Sequence, residues 1–411
     1  MTDTIVIGAG LAGLTAAIRL AQGGASVTLL TFGTGGIPLG QGTVDVLGYS
    51  AGGQLLPHPF DELARGKPLP AGHPYRALLP AQIRDAVDWF AGLVPGVLAP
   101  GDGSNHLVPT ALGAMRPTYL VPPSFVWPAA ARVVAVVGPR QIKDFCPELV
   151  AGNLAATAGV KTAAYHIDLP ARAHEAESSP VVYAQALDDP RFLARFAQLV
   201  RVELRDADAV VLPAVLGLHR LDVPARLAGL LGRPIVEAVL PPPSIPGMRL
   251  NAALTSLATT LDVRMVAGSR VTGYSADGRI LKSVTLHQAG RDQQWAARDF
   301  VYAPGGFESG ALAVDSFGHV AEVLFDLPLA GTSGPLVGAN YRAKQRLFGA
   351  GVTVDAQMRP LRAKHPAYDN LRAAGGILAG AQRWDELSGD GIAIAGAVRA
   401  ADSILEEVAR V

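Results

Sequence analysis

Thr4-Ile5-Val6-Ile7-Gly8-Ala9-Gly10-Leu11-Ala12-Gly13-Leu14-Thr15-Ala16-Ala17 opens the chain and decides how the rest is read. The apolar run predicts a buried strand, the glycines a tight turn, and the alanine-rich stretch to Gln22, free of proline, a helix. The glycines fit G-x-G-x-x-G. Gly8 permits the sharp turn, Gly10 lets the backbone approach a phosphate, and Gly13 lets helix and strand pack closely. The helix N-terminus then offers unpaired N–H groups and its positive dipole end to an anion. A turn used only for packing would not need all three glycines in this register.

Ser26 to Thr31 reads as a second strand, so strand, helix and strand fall within about thirty residues, the βαβ unit of a dinucleotide-binding fold. The carboxylate expected at the end of that strand, where it would hold an adenosine ribose, is missing. Thr31 and Phe32 stand there, and the first acidic residue after Asp3 is Asp45. This argues against ordinary NAD binding and weakens the case for an adenine-bearing flavin. A hydroxyl such as that of Thr31 can still bond a phosphate or ribose.

Three later stretches repeat the theme. Gln41 to Val46, with Gly40 and Gly42 beside it, lies where flavoproteins of this kind run backbone along the isoalloxazine ring; a flexible surface loop fits that stretch equally well. Phe300 to Gly306 is an apolar strand ending in Gly305 and Gly306. Asn370 to Gly380 is another, with Gly375 and Gly376. Gly389-Asp390-Gly391 then begins an alanine-rich helix to about Val408. Its N-terminus is expected to face the flavin pyrimidine edge, where N–H groups and dipole stabilise the charge of a reduced ring. The plainer alternative is a glycine-broken strand followed by a packing helix.

The chain has 411 residues, 49% hydrophobic and 17% charged, which supplies a large core and room for two domains. Its 35 basic and 35 acidic residues balance to +0, so nothing points to nucleic acid. The single cysteine, Cys146, excludes an internal disulfide and any multi-cysteine cluster; it is expected as a buried small hydrophobe. No signal peptide and no transmembrane stretch are read, which suggests a cytoplasmic protein.

Between the glycine motifs the texture changes. Arg132–Gly138, Val160–Leu169, Asp208–Ala214 and Ile235–Leu240 read as strands, alternating with helices over Arg140–Ala158, kinked at Pro147, and Asp189–Leu204. Residues 129–240 are therefore expected as an inserted α/β substrate or cap region, and residues 1–128 plus 241–411 as the flavin-binding Rossmann-like domain. The latter includes a helix at Pro80–Leu93, another from about Gly247 to Leu261, and a three-strand antiparallel meander between Val271 and Ala297. The fold class is α/β, a two-dinucleotide flavoprotein fold with a β-meander. Arg116 and Arg249 are candidates for binding an anion, against default readings as solvated or ion-paired cations. Arg249 is the more notable, because a cation in the first turn of a helix opposes its dipole.

The distribution of motifs resembles the B-subunit family of anaerobic glycerol-3-phosphate dehydrogenase over nearly the whole length. The resemblance rests on the first glycine motif, His73-Pro74-Tyr75, Thr110 to Thr118, Val136-Val137-Gly138 with Asp144-Phe145, Leu240-Pro241-Pro242 with Gly247 and Arg249-Leu250, Gly305-Gly306 and the C-terminal glycines. It implies a flavin protein carrying FMN, with FAD as the alternative. The partners it implies are an FAD-containing catalytic A-subunit and an iron–sulfur membrane-anchor C-subunit that would hold it at the inner face of the cell membrane. The implied reaction is oxidation of sn-glycerol 3-phosphate to dihydroxyacetone phosphate, with electrons passing to quinone. A stand-alone FAD-dependent oxidoreductase and a flavin-free assembly subunit remain as competing functions. One departure stands out: Asp390 places a negative charge at the entry to the last helix, where it opposes a reduced flavin, and Arg383 nearby could offset it.

Overall fold

The computed structural model describes residues 3–66, 69–204, 206–340, 343 and 345–410. The backbone divides into two units: Met1–Gly36, Asp45–Leu93 and Leu254–Val411 form the first, and Ile37–Val44 with Val94–Ala253 the second.

The first unit is built on a five-stranded parallel sheet. β1 (Thr4–Ile7) lies near its centre, between Asp299–Tyr302 on one side and β2 (Val27–Leu30) on the other. Leu371–Ala373 and Arg264–Val266 form the two edges. β1 and β2 are fully buried, which is why they read as continuous apolar runs rather than alternating ones. The first crossover helix, α1 (Leu11–Gln22), joins them. The chain leaves β1 towards β2 and later returns to pair with β1's other edge, so the strand order reverses at the C-terminal end of β1. In open parallel sheets that reversal is where ligands bind. The meander is present as three antiparallel strands, Arg270–Asp277, Ile280–Gln288 and Arg291–Ala296. The helix Pro80–Leu93 has the limits read from its apolar face, burying Ile83, Val87 and Phe90. The last helix, Gly389–Val408, packs against α1 and against Pro80–Leu93.

The second unit has its own four-stranded parallel sheet, in the order Lys161–Ile167, Val133–Pro139, Ala209–Pro213, Ile235–Ala238. Its limits are wider than the 129–240 expected from sequence. The hairpin His106–Pro109 and Met115–Thr118 is tied to the end of the last strand: Val239 N–H donates to the Pro109 carbonyl at 2.9 Å, and Ala111 N–H donates to the Val239 carbonyl at 2.8 Å. Composition carries no sign of such backbone pairing over more than a hundred residues of chain. Pro147 does not kink a helix; it starts one, Pro147–Thr157, at the position where its missing N–H costs nothing. Cys146 becomes the N-cap of that helix and is exposed, not buried, with its thiol 3.5 Å from the Glu148 carboxylate. The helices Pro180–Leu187 and Val223–Leu231 add to those expected from sequence. No helix among the described residues is long and apolar enough to cross a membrane.

Candidate functional site

Three strands of the first unit end in glycine turns, and those turns meet. Gly8 has φ +106°, and a Cβ there would lie 2.2 Å from the Ala303 carbonyl oxygen at the end of the neighbouring strand. Only glycine satisfies both conditions. A Cβ on Gly13 would sit 1.8 Å from the Gly8 carbonyl oxygen, so α1 starts directly against the turn. A Cβ on Gly375 would sit 2.8 Å from the Ala12 side chain in the first turn of α1, and one on Gly376 would be 3.1 Å from the Gly305 carbonyl carbon. A Cβ on Gly306 would lie 3.1 Å from the Gly376 carbonyl oxygen and 3.0 Å from the Glu308 carboxylate. Gly8, Gly13, Gly305, Gly306, Gly375 and Gly376 are thus brought together at the C-terminal edge of one sheet.

Gly10 differs from these. A Cβ added to it would meet nothing within 4 Å, so its glycine is not explained by protein packing. Gly10 is the N-cap of α1, no side chain caps it, and the first turn holds no acidic residue. The first bond back into the helix is Leu14 N–H to the Gly10 carbonyl at 3.0 Å. The N–H groups of Leu11, Ala12 and Gly13 therefore project from the helix end, as they must in any α-helix. Open space beside an uncapped helix N-terminus suits an anionic group.

The other candidates fall elsewhere. Thr31 follows β2, is 8% exposed, and its hydroxyl donates to the Gly33 carbonyl two residues on. Its backbone is also engaged, by the Val266 carbonyl and the Ser269 N–H. The next loop folds back, so that a Cβ on Gly35 would lie 2.6 Å from the Ala9 carbonyl. Gly40 and Gly42 belong to the second unit. There they pack on the start of the helix Ile245–Thr260: a Cβ on Gly42 would be 2.4 Å from the Pro246 carbonyl carbon, and one on Gly247 2.4 Å from the Gly40 carbonyl oxygen. Gly389 and Gly391 open the last helix, but the first turn is not vacant. Gly391 N–H donates to the Asp45 carbonyl at 2.8 Å, and the Asp390 carboxylate accepts from Asp45 N–H at 3.1 Å. A Cβ on Gly391 would strike the Tyr75 hydroxyl at 2.2 Å. The extended segment at Asp45 and Val46 thus occupies the helix entry expected to face a ligand.

Arg116 lies half-buried on the strand Met115–Thr118, opposite Val108. Arg249 is 7% exposed and fully committed: its guanidinium donates to the Gly217 carbonyl at 2.8 Å and the Leu216 carbonyl at 2.7 Å, and lies 3.4 Å from the Glu237 carboxylate. Glu237, itself 0% exposed, also accepts from Leu216 N–H at 2.9 Å and from Ser124 Oγ–H at 2.6 Å. The conflict between Arg249 and its helix dipole is thus resolved by a buried ion pair holding the second unit together. Anion capture would require breaking that pair.

A sequence family described as an FAD binding domain matches residues 3–392. The probable B-subunit of anaerobic glycerol-3-phosphate dehydrogenase from Halobacterium salinarum is 31% identical over 429 residues, covering 99% of this chain and 98% of its own. The B-subunit of anaerobic glycerol-3-phosphate dehydrogenase from Yersinia enterocolitica is 30% identical over 421 residues, covering 98% of both. This chain belongs to the B-subunit family of anaerobic glycerol-3-phosphate dehydrogenase. Among solved structures, a 3-ketosteroid-Δ4-(5α)-dehydrogenase from Rhodococcus jostii aligns with 98% of this chain and 96% of its own, at 12% identity and a TM-score of 0.44.

For a member of this B-subunit family with an FAD binding domain, the ligand class is a flavin. The first glycine turn fits its phosphate, because no protein atom fills the space at Gly10.

A second polar cluster joins residues that are far apart in the sequence. His73, of the His-Pro-Tyr segment, is fully buried and lies 3.0 Å from the Glu386 carboxylate. Ser388 Oγ–H donates to the same Glu386 oxygen at 2.8 Å. Tyr75 is buried beside them, with its hydroxyl donating to the Val46 carbonyl at 2.9 Å. Burial first, then the charges of Glu386, Asp390 and Asp45, push the Tyr75 phenol well above its usual range, so it remains a neutral donor. The one sequence signal is a histidine before Pro74, since Glu386 lies more than three hundred residues away.

Proposed function

We propose that this chain is the flavin-bearing, electron-relaying subunit of a respiratory sn-glycerol-3-phosphate dehydrogenase, and that its flavin is FMN. The observation that carries the reading is the contrast between Gly10 and Thr31. Gly10 leaves room for a phosphate at an uncapped helix end, whereas the position that would clamp an adenosine ribose holds a hydroxyl already donated to Gly33. Bound flavin supplies the electron-carrying ring. The chain supplies N–H groups of Leu11 to Gly13 for the phosphate, whereas the turns at Gly305, Gly306 and Gly376 already carry the side chains of Ser309, Glu308 and Arg383 against them. Oxidation of glycerol 3-phosphate to dihydroxyacetone phosphate is assigned to an FAD-containing catalytic partner, the A-subunit. An iron–sulfur partner, the C-subunit, passes electrons to quinone and holds the complex at the inner face of the membrane. The names of the relatives support this reading.

The test is to purify the chain, record its visible spectrum and weigh the flavin released on denaturation. FMN near one equivalent is expected. FAD would overturn the FMN assignment. A colourless protein that still binds its partners would replace the relay with an assembly role, and turnover of glycerol 3-phosphate by the chain alone would overturn the division of labour.

A further inference from the structure

Of the three side chains that lie against the glycine turns, two are already engaged. Ser309 Oγ–H donates to the Gly306 carbonyl at 3.0 Å, and the Glu308 carboxylate accepts from Gly306 N–H at 3.2 Å. The third, Arg383, is half-buried, and its guanidinium forms no hydrogen bond or ion pair with any described residue. A guanidinium carries donors only and favours bidentate pairing with a carboxylate or phosphate, so here its donors are left for a ligand.

The place of Arg383 is fixed along its whole length. The short helix Arg383–Glu386 that carries it is pinned at its far end, where Glu386 is held by His73 and Ser388 and its carbonyl accepts from Gly48 N–H and Tyr49 N–H at 2.8 and 3.1 Å. The stem of Arg383 runs past Gly389, where a Cβ would lie 3.6 Å from Arg383 Cβ and 3.8 Å from its Cδ. The head lies over the turns themselves: a Cβ on Gly376 would be 2.6 Å from Nη1, and one on Gly306 would be 3.5 Å from Nη2. Gly375, the neighbour of Gly376, is the residue that abuts Ala12 in the first turn of α1. One turn therefore touches the uncapped end of α1 through its first residue and Arg383 through its second.

We propose that Arg383 is the cation that pairs with the flavin phosphate, which is then held between the start of α1 and the guanidinium. The inference rests on the flavin reading above and adds to it the side chain that favours a phosphorylated flavin over riboflavin. The charge is needed there. The Glu308 carboxylate lies 3.2 Å from the same point beside Gly376 and by itself repels an anion. Guanidinium also suits the task better than ammonium, because its planar fork matches a phosphate.

In the experiment, flavin is stripped from the full chain, and FMN, FAD and riboflavin are titrated back, followed by flavin fluorescence. The wild type should bind FMN at least about tenfold tighter than riboflavin. Arg383→Gln should weaken FMN and FAD about tenfold and move riboflavin by less than about twofold. Arg383→Met keeps the stem against Gly389, should give the same pattern, and serves if Arg383→Gln fails to fold. Arg383→Lys, which keeps the charge without the fork, should fall between wild type and the neutral variants. Equal losses for FMN and riboflavin would put the guanidinium on the ring or the ribityl chain and overturn the proposal. Unchanged FMN affinity in the neutral variants would overturn it and leave the flavin reading standing. A chain that takes FAD in place of FMN would overturn the FMN assignment alone, because FAD carries the same first phosphate and should lose affinity in the same variants. A wild-type chain that binds none of the three would overturn both.

Discussion

The molecule contains two parallel sheets with similar apolar strands and opposite uses of their ends. In the first unit β1, Asp299–Tyr302 and Leu371–Ala373 finish in glycines, and the space at Gly10 is taken by no protein atom. In the second unit Val133–Pro139 and Ala209–Pro213 finish in proline, and the last strand carries Glu237 into a network where both carboxylate oxygens are engaged. At Gly10 the first edge leaves an uncapped helix end open for a ligand. The other consumes its charges internally. A charged residue is therefore a poor guide to the ligand site here, and an unexplained glycine a good one.

The sharpest way to break this comparison is to add side chains where the turns have no room. Gly13→Val would drive atoms into the Gly8 carbonyl, 1.8 Å from where a Cβ belongs. We expect a loss above about 4 kcal/mol, enough that little folded protein is recovered. Normal urea denaturation of this variant would show that helix and strand can separate at the turn. Next in size is Arg249→Ala, which leaves Glu237 buried without its cation. A destabilisation of about 3–5 kcal/mol is expected, with flavin per folded chain unchanged. If stability held and flavin were lost instead, the second unit's network would have to be counted as part of the site.

The sequence makes the first of these regions legible and the second nearly invisible, for physical reasons. Backbone recognition writes itself locally: G-x-G-x-x-G, the strand before it and the helix after it are contiguous, and the turns at Gly305 and Gly375 each end an apolar run. The meander and the last helix, Gly389–Val408, are legible for the same reason. Arg249, Glu237 and Ser124 come from three distant segments, and only the fold brings their charges within bonding distance. Likewise, nothing near Gly40 and Gly42 reveals that their partners are Pro246 and Gly247, nor near Gly391 that Tyr75 closes over it. Cys146 is exposed against expectation because the proline after it starts a helix rather than kinking one.

A smaller effect separates binding from folding. Gly10→Ala adds a methyl group into space that no protein atom fills, at an extended backbone position any residue adopts. Stability should stay within about 1 kcal/mol. Flavin affinity should fall about tenfold or more, read by equilibrium dialysis, because the methyl group takes the place of the phosphate. Retained affinity would move the phosphate away from the first turn.

The smallest expected effect lies at the other end of the second sheet. Asp208 precedes the strand Ala209–Pro213, and its carboxylate accepts from Arg132 N–H at 2.8 Å and Val133 N–H at 2.9 Å. Those bonds, followed by the charges of Arg233 and Arg132, hold its carboxyl below the usual aspartate range. A carboxyl group whose folded pKa is depressed adds stability that is complete above the unfolded pKa and disappears as pH falls through the folded one. The gap in urea midpoint between wild type and Asp208→Asn should therefore be full at neutral pH and close below about pH 4. Flavin content should be the same in both, since this edge binds only its own backbone. A gap that does not change with pH would show that the side chain acts through hydrogen-bond geometry, which asparagine keeps in part, and not through charge.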